Sequence, residues 1–343
     1  MDRKESDGRQ SCSRLHKHSR RDVKSPGWIN FRSTALKIDR TFGPAFLMLA
    51  LASWHPATSA TPGSSCHPLD YDRSDLLNLR AADFVIEDPD ERRRFAIELL
   101  DCLGDPDPVL RDQVAYEAYV ALLRGGHLDA DTIRALRSSL IEQLDIGAED
   151  GTGFRKPFAA LVLSEVARAD RMDPVFSDEE RATLVMASTA YMRGIDDYRG
   201  FDQQTGWRHG VAHAADLLMQ LSLNPALDRS QLETILDAVA SQVTPEGSHF
   251  YIYGESGRLA RPVLFIAMRE VFDDREWANW IGDVTSAGPF GEWSEVFSNQ
   301  AGLARLHNIR AFVQAIYVNS TASDQESLAP LRSSALEALK KLP

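Results

Sequence analysis

Cysteine is scarce: the 343 residues hold three, Cys12, Cys66 and Cys102, and no C-x-x-C pair, so the thiol-redox signature is missing. The P-loop, G-x-G-x-x-G and G-x-S-x-G patterns are missing too, which removes the sequence grounds for a nucleotide-binding fold or a serine-hydrolase elbow. No apolar run approaches the ~20 residues that cross a bilayer as a helix. Alternation long enough for a strand is equally wanting. The nearest case is His249-Phe250-Tyr251-Ile252-Tyr253, set between Gly247 and Gly254, which reads either as a short hairpin arm or as an aromatic loop.

Positive charge is short outside the N-terminus. Residues 1–40 carry 11 Lys/Arg and 5 Asp/Glu, a net of +6; against −12 for the whole chain, that leaves −18 for the remainder. So acidic a domain repels a phosphate backbone unless it segregates a basic face. The sequence shows no such face, and nucleic acid is not an expected partner.

The N-terminal segment reads as an address. A polar, basic stretch ends at Lys37-Ile38-Asp39-Arg40, an apolar run follows from Phe42 to Ala52, and Ala57-Thr58-Ser59-Ala60 supplies small residues. Basic, then apolar, then small is the secretory order. It predicts a mostly disordered targeting segment over residues 1–60, a periplasmic or secreted product, and no stable transmembrane helix after cleavage. The basic part is long for a signal. It fits a start upstream of the true one, or an atypical twin-arginine signal on Arg20-Arg21; an uncleaved anchor is the alternative. Cleavage near Ala60 would leave Cys66 and Cys102, which either pair in an oxidising compartment or stay free, Cys102 as a core thiol.

A turn-rich linker, residues 61–70, leads into a single domain over 71–343. Apolar residues make up 43% of the chain and charged residues 26%, enough for a sizeable core. Phe95, Leu99, Leu100 and Leu103 share a stripe ended by Gly104, and Val109 to Leu123 makes another before Gly125-Gly126. Further helical spans fall at 133–144, 157–169, 178–194, 207–223, 229–243, 258–273 and 301–318. Ser177 with Glu180 has the spacing of a capping box. The class expected is all-α: stacked antiparallel helix pairs in an α-solenoid or α/α superhelix of HEAT/armadillo type, with Asp105–Arg124 resembling one HEAT repeat.

Residues 199–220, RGFDQQTGWRHGVAHAADLLMQ, are the most informative. On a helical wheel His209, His213, Asp216 and Gln220 fall within roughly 60° of one another. Most of the remaining circumference is apolar, as in a buried helix whose narrow polar stripe faces a cavity or groove. Three readings stand. His209 and His213, with Asp216 or a distant Glu255 completing the set, can ligate a divalent metal such as zinc and support hydrolysis, although the Glu of the zinc-protease motif is missing. Asp216 can instead orient a proton-shuttling histidine, making His209, His213 and Asp216 catalytic candidates without metal. Or the polar groups simply satisfy neighbouring helices in an interaction scaffold.

Arg199, Trp207, Gln220, Glu255 and Arg258 complete a ligand-binding set for a small molecule, glycan or peptide in the groove. Glu255 and Arg258, at i and i+3, also fit an ordinary helix-start ion pair. Asp196, Asp197 and Asp202 can be paired acids or a solvated helix end. Trp207, Tyr251, Tyr253, Trp277 and Trp280 can be sugar-stacking platforms or core.

Arg199-Gly200, Gly206-Trp207, His209, Ala212-His213, Asp216, Glu255 and Arg258-Leu259 together resemble a bacterial family known as domain of unknown function 2785. Arg111-Asp112 and its distance from the His helix are similar as well, and the likeness covers residues 90–270. Arg208 and Gly257 depart from the family pattern, where a small residue and an acid are usual; Ile195 also replaces an acid. The resemblance implies the domain and the choice of residues, and carries no reaction with it.

Overall fold

Acidic or hydroxyl side chains open several helices by accepting the first free amides. Asp72, Ser177, Asp228 and Asp273 each close a reciprocal capping box with the residue three places on, including the predicted Ser177–Glu180 box. Such caps satisfy donors that the helix itself cannot. In the computed structural model, which describes residues 66–145 and 151–343, the result is all-α. The targeting segment 1–60, residues 61–65 of the linker and Cys12 lie outside the described residues.

The helices are α1 (Arg73–Ala81), α2 (Pro89–Glu98), α3 (Glu117–Arg124), α4 (Ala130–Asp145), α5 (Arg155–Met172), α6 (Asp178–Gly194), α7 (Gly210–Ser222), α8 (Arg229–Val243), α9 (Glu255–Ala267), α10 (Asp274–Val284), α11 (Gln300–Thr321) and α12 (Ala329–Lys341). A π-helical segment, Val109–Tyr116, runs directly into α3. Among the described residues the sheet is one two-residue hairpin, β1 (Phe201–Asp202) and β2 (Gly206–Trp207), with Phe201 opposite Trp207. His249–Tyr253 is the aromatic loop rather than a hairpin arm.

Consecutive helices pack as pairs, α4 on α5, α6 on α7 and α8 on α9, and the pairs stack. One layer runs α3, α5, α7, α9, α11, each against the next; α2, α4, α6 and α8 form the other. α10, α11 and α12 pack together at the C-terminal end. The helix predicted to be buried on nearly all sides, α7, touches α5, α6, α8 and α9. Its Val211, Ala212, Ala214, Ala215, Leu217, Leu218 and Leu221 are all core. Each such leucine or valine contributes roughly 1.5–3 kcal/mol by leaving water, so the polar residues of this helix are held by a rigid frame.

Cys66 and Cys102 form a disulfide, Cα–Cα 4.4 Å, tying the segment before α1 to the turn after α2. The alternative of two free thiols is thereby set aside. Trp277 and Trp280 pack edge to face, and Trp280 reaches Phe312 of α11. Trp277 is core and Trp280, half-buried, packs against it, so the pair serves packing.

Candidate functional site

α7 begins at Gly210, later than the periodicity predicts, and His209 is its N-cap in the left-handed region at φ 56°. A non-glycine residue there is uncommon, although histidine tolerates it better than most. The conformation persists because the hairpin determines it: the His209 N–H donates to Arg199 O at 3.2 Å and the Arg208 N–H to Gly200 O at 2.9 Å. His209 thus leaves the helical wheel, yet its ring still meets His213, with centroids 5.9 Å apart. Its other face stacks on Trp207 at 4.8 Å.

The hairpin is anchored from a distance by Arg111. This fully buried guanidinium donates to Asp112 Oδ1 at 2.7 Å, Asp105 O at 3.0 Å and Thr205 O at 2.8 Å. It also lies 3.8 Å over Phe154 and 4.8 Å over Phe158. Gly206, at φ 80°, leaves room beside it. On the opposite side of the site, Gly200 is obligatory because a Cβ there would sit 2.1 Å from the Tyr253 ring.

His209 Nε2 is buried with no hydrogen-bond partner. A buried polar atom in that state calls for an explanation. His209 lines a narrow crevice, too tight as it stands to admit a water molecule, that Asp197, Tyr198, Arg199, Gly210, Val211, Tyr251 and Glu255 also line. Burial, with the Arg258 charge, pulls the His209 imidazole down to about 4; it is neutral at pH 7. His213 is pulled down to about 3, chiefly by burial. Its Nδ1 lies 3.2 Å from Pro157 O and its ring is edge-on to Phe158. Glu255, buried, accepts the Tyr253 N–H at 2.9 Å; burial pushes its carboxyl up. A neutral imidazole and a carboxyl inclined to hold its proton therefore line one crevice.

Asp216 sits further along α7. Arg258 pairs with it, and Arg261 joins at 3.2 Å. Burial raises the Asp216 carboxyl while the two arginines oppose that shift. The expected Glu255–Arg258 pair is therefore not made: helix spacing favours it, but Arg258 reaches across to α7 and Glu255 turns back to its own N-terminal loop. Gln220 is remote from the histidines and accepts from Arg171 at 3.3 Å. Among the described residues no group of three or more His, Cys, Asp or Glu is disposed to hold a metal ion. Of the three proposed ligands, His213 is engaged by Pro157 and Asp216 by two guanidiniums.

Asp197 holds Arg199 in a bidentate pair, and Asp202 accepts from the Gln204 and Thr205 amides in the hairpin turn. Asp196 is exposed. These acids serve local structure and do not converge as a pair. The departures from the family pattern also have local roles. Arg208 donates to Thr152 O at 2.8 Å and covers Phe154; Ile195 is core.

Two residues of the site were not legible beforehand. Asn308 of α11, 1% exposed, accepts the Tyr251 N–H and donates to His249 O, each at 2.9 Å. Gln242 of α8 accepts the Tyr251 hydroxyl at 2.9 Å and donates to Met192 O and Ile195 O. A buried amide within a helical pattern was the available signal for both.

Trp207, 39% exposed, lies 5.1 Å from Phe201 and 5.6 Å edge-on from Tyr253. The three make an aromatic shelf beside the crevice. A family model described as a protein of unknown function, DUF2785, matches residues 140–318, slightly over half the chain. The chain belongs to the DUF2785 family. That match contains the whole crevice and shelf, starting later and running further than the expected 90–270. Arg111-Asp112 lies outside the matched span of DUF2785, although it holds the hairpin inside it. No curated protein and no solved structure matches the chain.

Proposed function

We propose that this DUF2785 protein is an exported helical-repeat protein that binds a glycan at the His209–Glu255 crevice. One observation carries the reading: His209 Nε2 is buried, neutral and unpartnered beside an exposed indole. With one ring on the outer face of Trp207, whose inner face is stacked on His209, the neighbouring ring of a glycan would place a hydroxyl at that nitrogen once the crevice opens, and Glu255 would take a second. Hydroxyls both donate and accept, which suits a neutral imidazole and a carboxyl side by side. Aromatic faces bind the apolar side of such rings while their rims stay wet.

Export is supported by the basic–apolar–small order of residues 1–60 and by the Cys66–Cys102 disulfide, since such bonds persist in oxidising compartments. The same crevice also offers a catalytic version without metal. His209 would act as base and Glu255 as acid, their proton affinities having been moved in opposite directions.

A glycan array, followed by tryptophan fluorescence titration of the hits, tests the reading. Binding should be present in the wild type and lost in Trp207→Ala, whose exposed side chain can be removed without unfolding the helices. Finding no glycan bound, or Trp207→Ala binding as the wild type does, replaces this reading with that of an interaction scaffold.

A further inference from the structure

The chain carries −18 outside its first 40 residues, yet arginine gathers along the layer formed by α3, α5, α7 and α9. Contacts between neighbouring helices trace the row. Arg124 on α3 makes a bidentate pair with Glu165 on α5, at 2.8 and 2.6 Å. Arg171 on α5 reaches Gln220 on α7, and Arg258 and Arg261 on α9 share Asp216 of α7. Tyr116 lies among them and feels the charges of Glu165, Arg124, Asp216 and Arg258 together.

Arg168 adds a further positive charge next to Arg171 and has no ion pair among the described residues. Along this row, five guanidiniums (Arg124, Arg168, Arg171, Arg258, Arg261) face two carboxylates, Glu165 and Asp216. The paired arginines are not used up. Arg258 and Arg261 each give Asp216 one N–H among those described, out of the five that a guanidinium carries. Their side chains stay 33% and 42% exposed. The row abuts the crevice: Asp216, which Arg258 and Arg261 share, follows His213 by three residues on α7, and Arg258 follows the crevice residue Glu255 by three on α9.

We infer that this arginine row binds the carboxylates of an acidic oligosaccharide whose one end stacks on Trp207. The inference rests on the glycan reading of the crevice and adds the charge class of the glycan. Planar guanidinium forks match carboxylates in two-point contacts. Neighbouring helices stand about 8–10 Å apart, so the row suits carboxylates spaced along a chain. It suits nucleic acid poorly: one charge about every 3.4 Å of strand would outnumber a small positive excess on an acidic domain.

The test uses the mature protein and three probes: a hexamer of galacturonic acid, the same hexamer fully methyl-esterified, and a hexameric oligothymidylate. Affinities are read by isothermal titration at two salt concentrations. The acid hexamer should bind roughly tenfold or more tightly than its ester, with the advantage shrinking as salt rises. Arg168→Gln and Arg171→Gln should each remove several-fold of that advantage and leave the ester unaffected. Arg168 has no ion pair among the described residues, so its substitution keeps the test sound if others perturb folding.

Equal binding of acid and ester, with both lost in Trp207→Ala, overturns the arginine inference and leaves the glycan reading standing. Binding of neither hexamer overturns the inference. Oligothymidylate binding as tight as that of the acid hexamer does so too, by showing that the row reads phosphate.

Discussion

Asn308 holds Tyr251 across the layer: its side-chain oxygen accepts the Tyr251 N–H while its nitrogen donates to His249 O, both at 2.9 Å. A helix residue 57 positions later in the chain thus fixes the aromatic loop from which Tyr253 and Glu255 enter the site. Asn308→Ala leaves a buried backbone donor and acceptor unpaired, each costing about 1–3 kcal/mol. The expected outcome is a clear drop in urea midpoint, with faster amide exchange confined to residues 249–255. Asn308→Asp should keep the Tyr251 bond and lose the His249 one, falling between the two. Equal exchange in wild type and Asn308→Ala would show that the loop is held by other contacts.

Arg111 plays the same part for the hairpin. Its guanidinium is fully buried and joins Asp112, Asp105 and Thr205 while lying against two phenylalanine rings. Arg111→Met removes the charge and leaves the Thr205 carbonyl and the Asp112 carboxylate without that partner, at a cost on the order of 3–5 kcal/mol. Arg111→Lys keeps the charge but not the three-way fork, and should rescue little. Urea denaturation of both variants gives the cost. The Trp207 emission wavelength should shift before global unfolding, because its hairpin comes loose first. Lysine behaving as wild type would reduce Arg111 to a simple charge.

The helices were legible because an apolar stripe at period 3.6 is what burial of one helix face requires, and α7 stood out because its stripe closes round it. Ser177–Glu180 was legible because a capping box is local. What escaped depends on distance through space. Wheel geometry placed His209 beside His213, correctly, but took it as helical; its hydrogen bond to Arg199 O pulls it into the left-handed region. The i, i+3 rule paired Glu255 with Arg258, whereas Asp216, 42 positions away, takes the arginine. Composition alone left the cysteines open, since spacing does not say whether two Cα atoms approach. α1, α10 and α12 were missed: α1 buries Leu76 alone, and the apolar faces of α10 and α12 are completed by one another and by α11.

The Cys66–Cys102 bond closes a loop of sequence separation 36. Loop-closure entropy of that length corresponds to roughly 4 kcal/mol of stabilisation. The double variant Cys66→Ser/Cys102→Ser, or the wild type in reductant, should melt well below the oxidised protein. Mass spectrometry of exported protein checks the bond and the cleavage near Ala60 together, as a new N-terminus and two hydrogens missing from the thiol pair. An unchanged melting curve in reductant would mean that the bond adds nothing to the fold.

The two histidines set how stability changes with pH. Both are pulled below the ordinary value of 6.5, His209 to about 4 and His213 to about 3. Between those values and 6.5 the unfolded chain takes up protons that the folded chain refuses, so stability rises with pH there. Their contribution is complete above about pH 6.5 and is lost as pH falls through 4 and then 3. Each histidine adds a slope of at most about 1.4 kcal/mol per pH unit. Urea midpoints measured from pH 7 to pH 4 should therefore decline, and His213→Gln should flatten the decline by close to one proton. Ring carbon shifts in NMR should show both imidazoles still neutral at pH 5.5, where histidines of the urea-unfolded chain, with an ordinary value of about 6.5, are mostly protonated. A His209 that titrates in the folded protein as it does in the unfolded chain would remove the neutral imidazole on which both the glycan contact and the acid–base version depend.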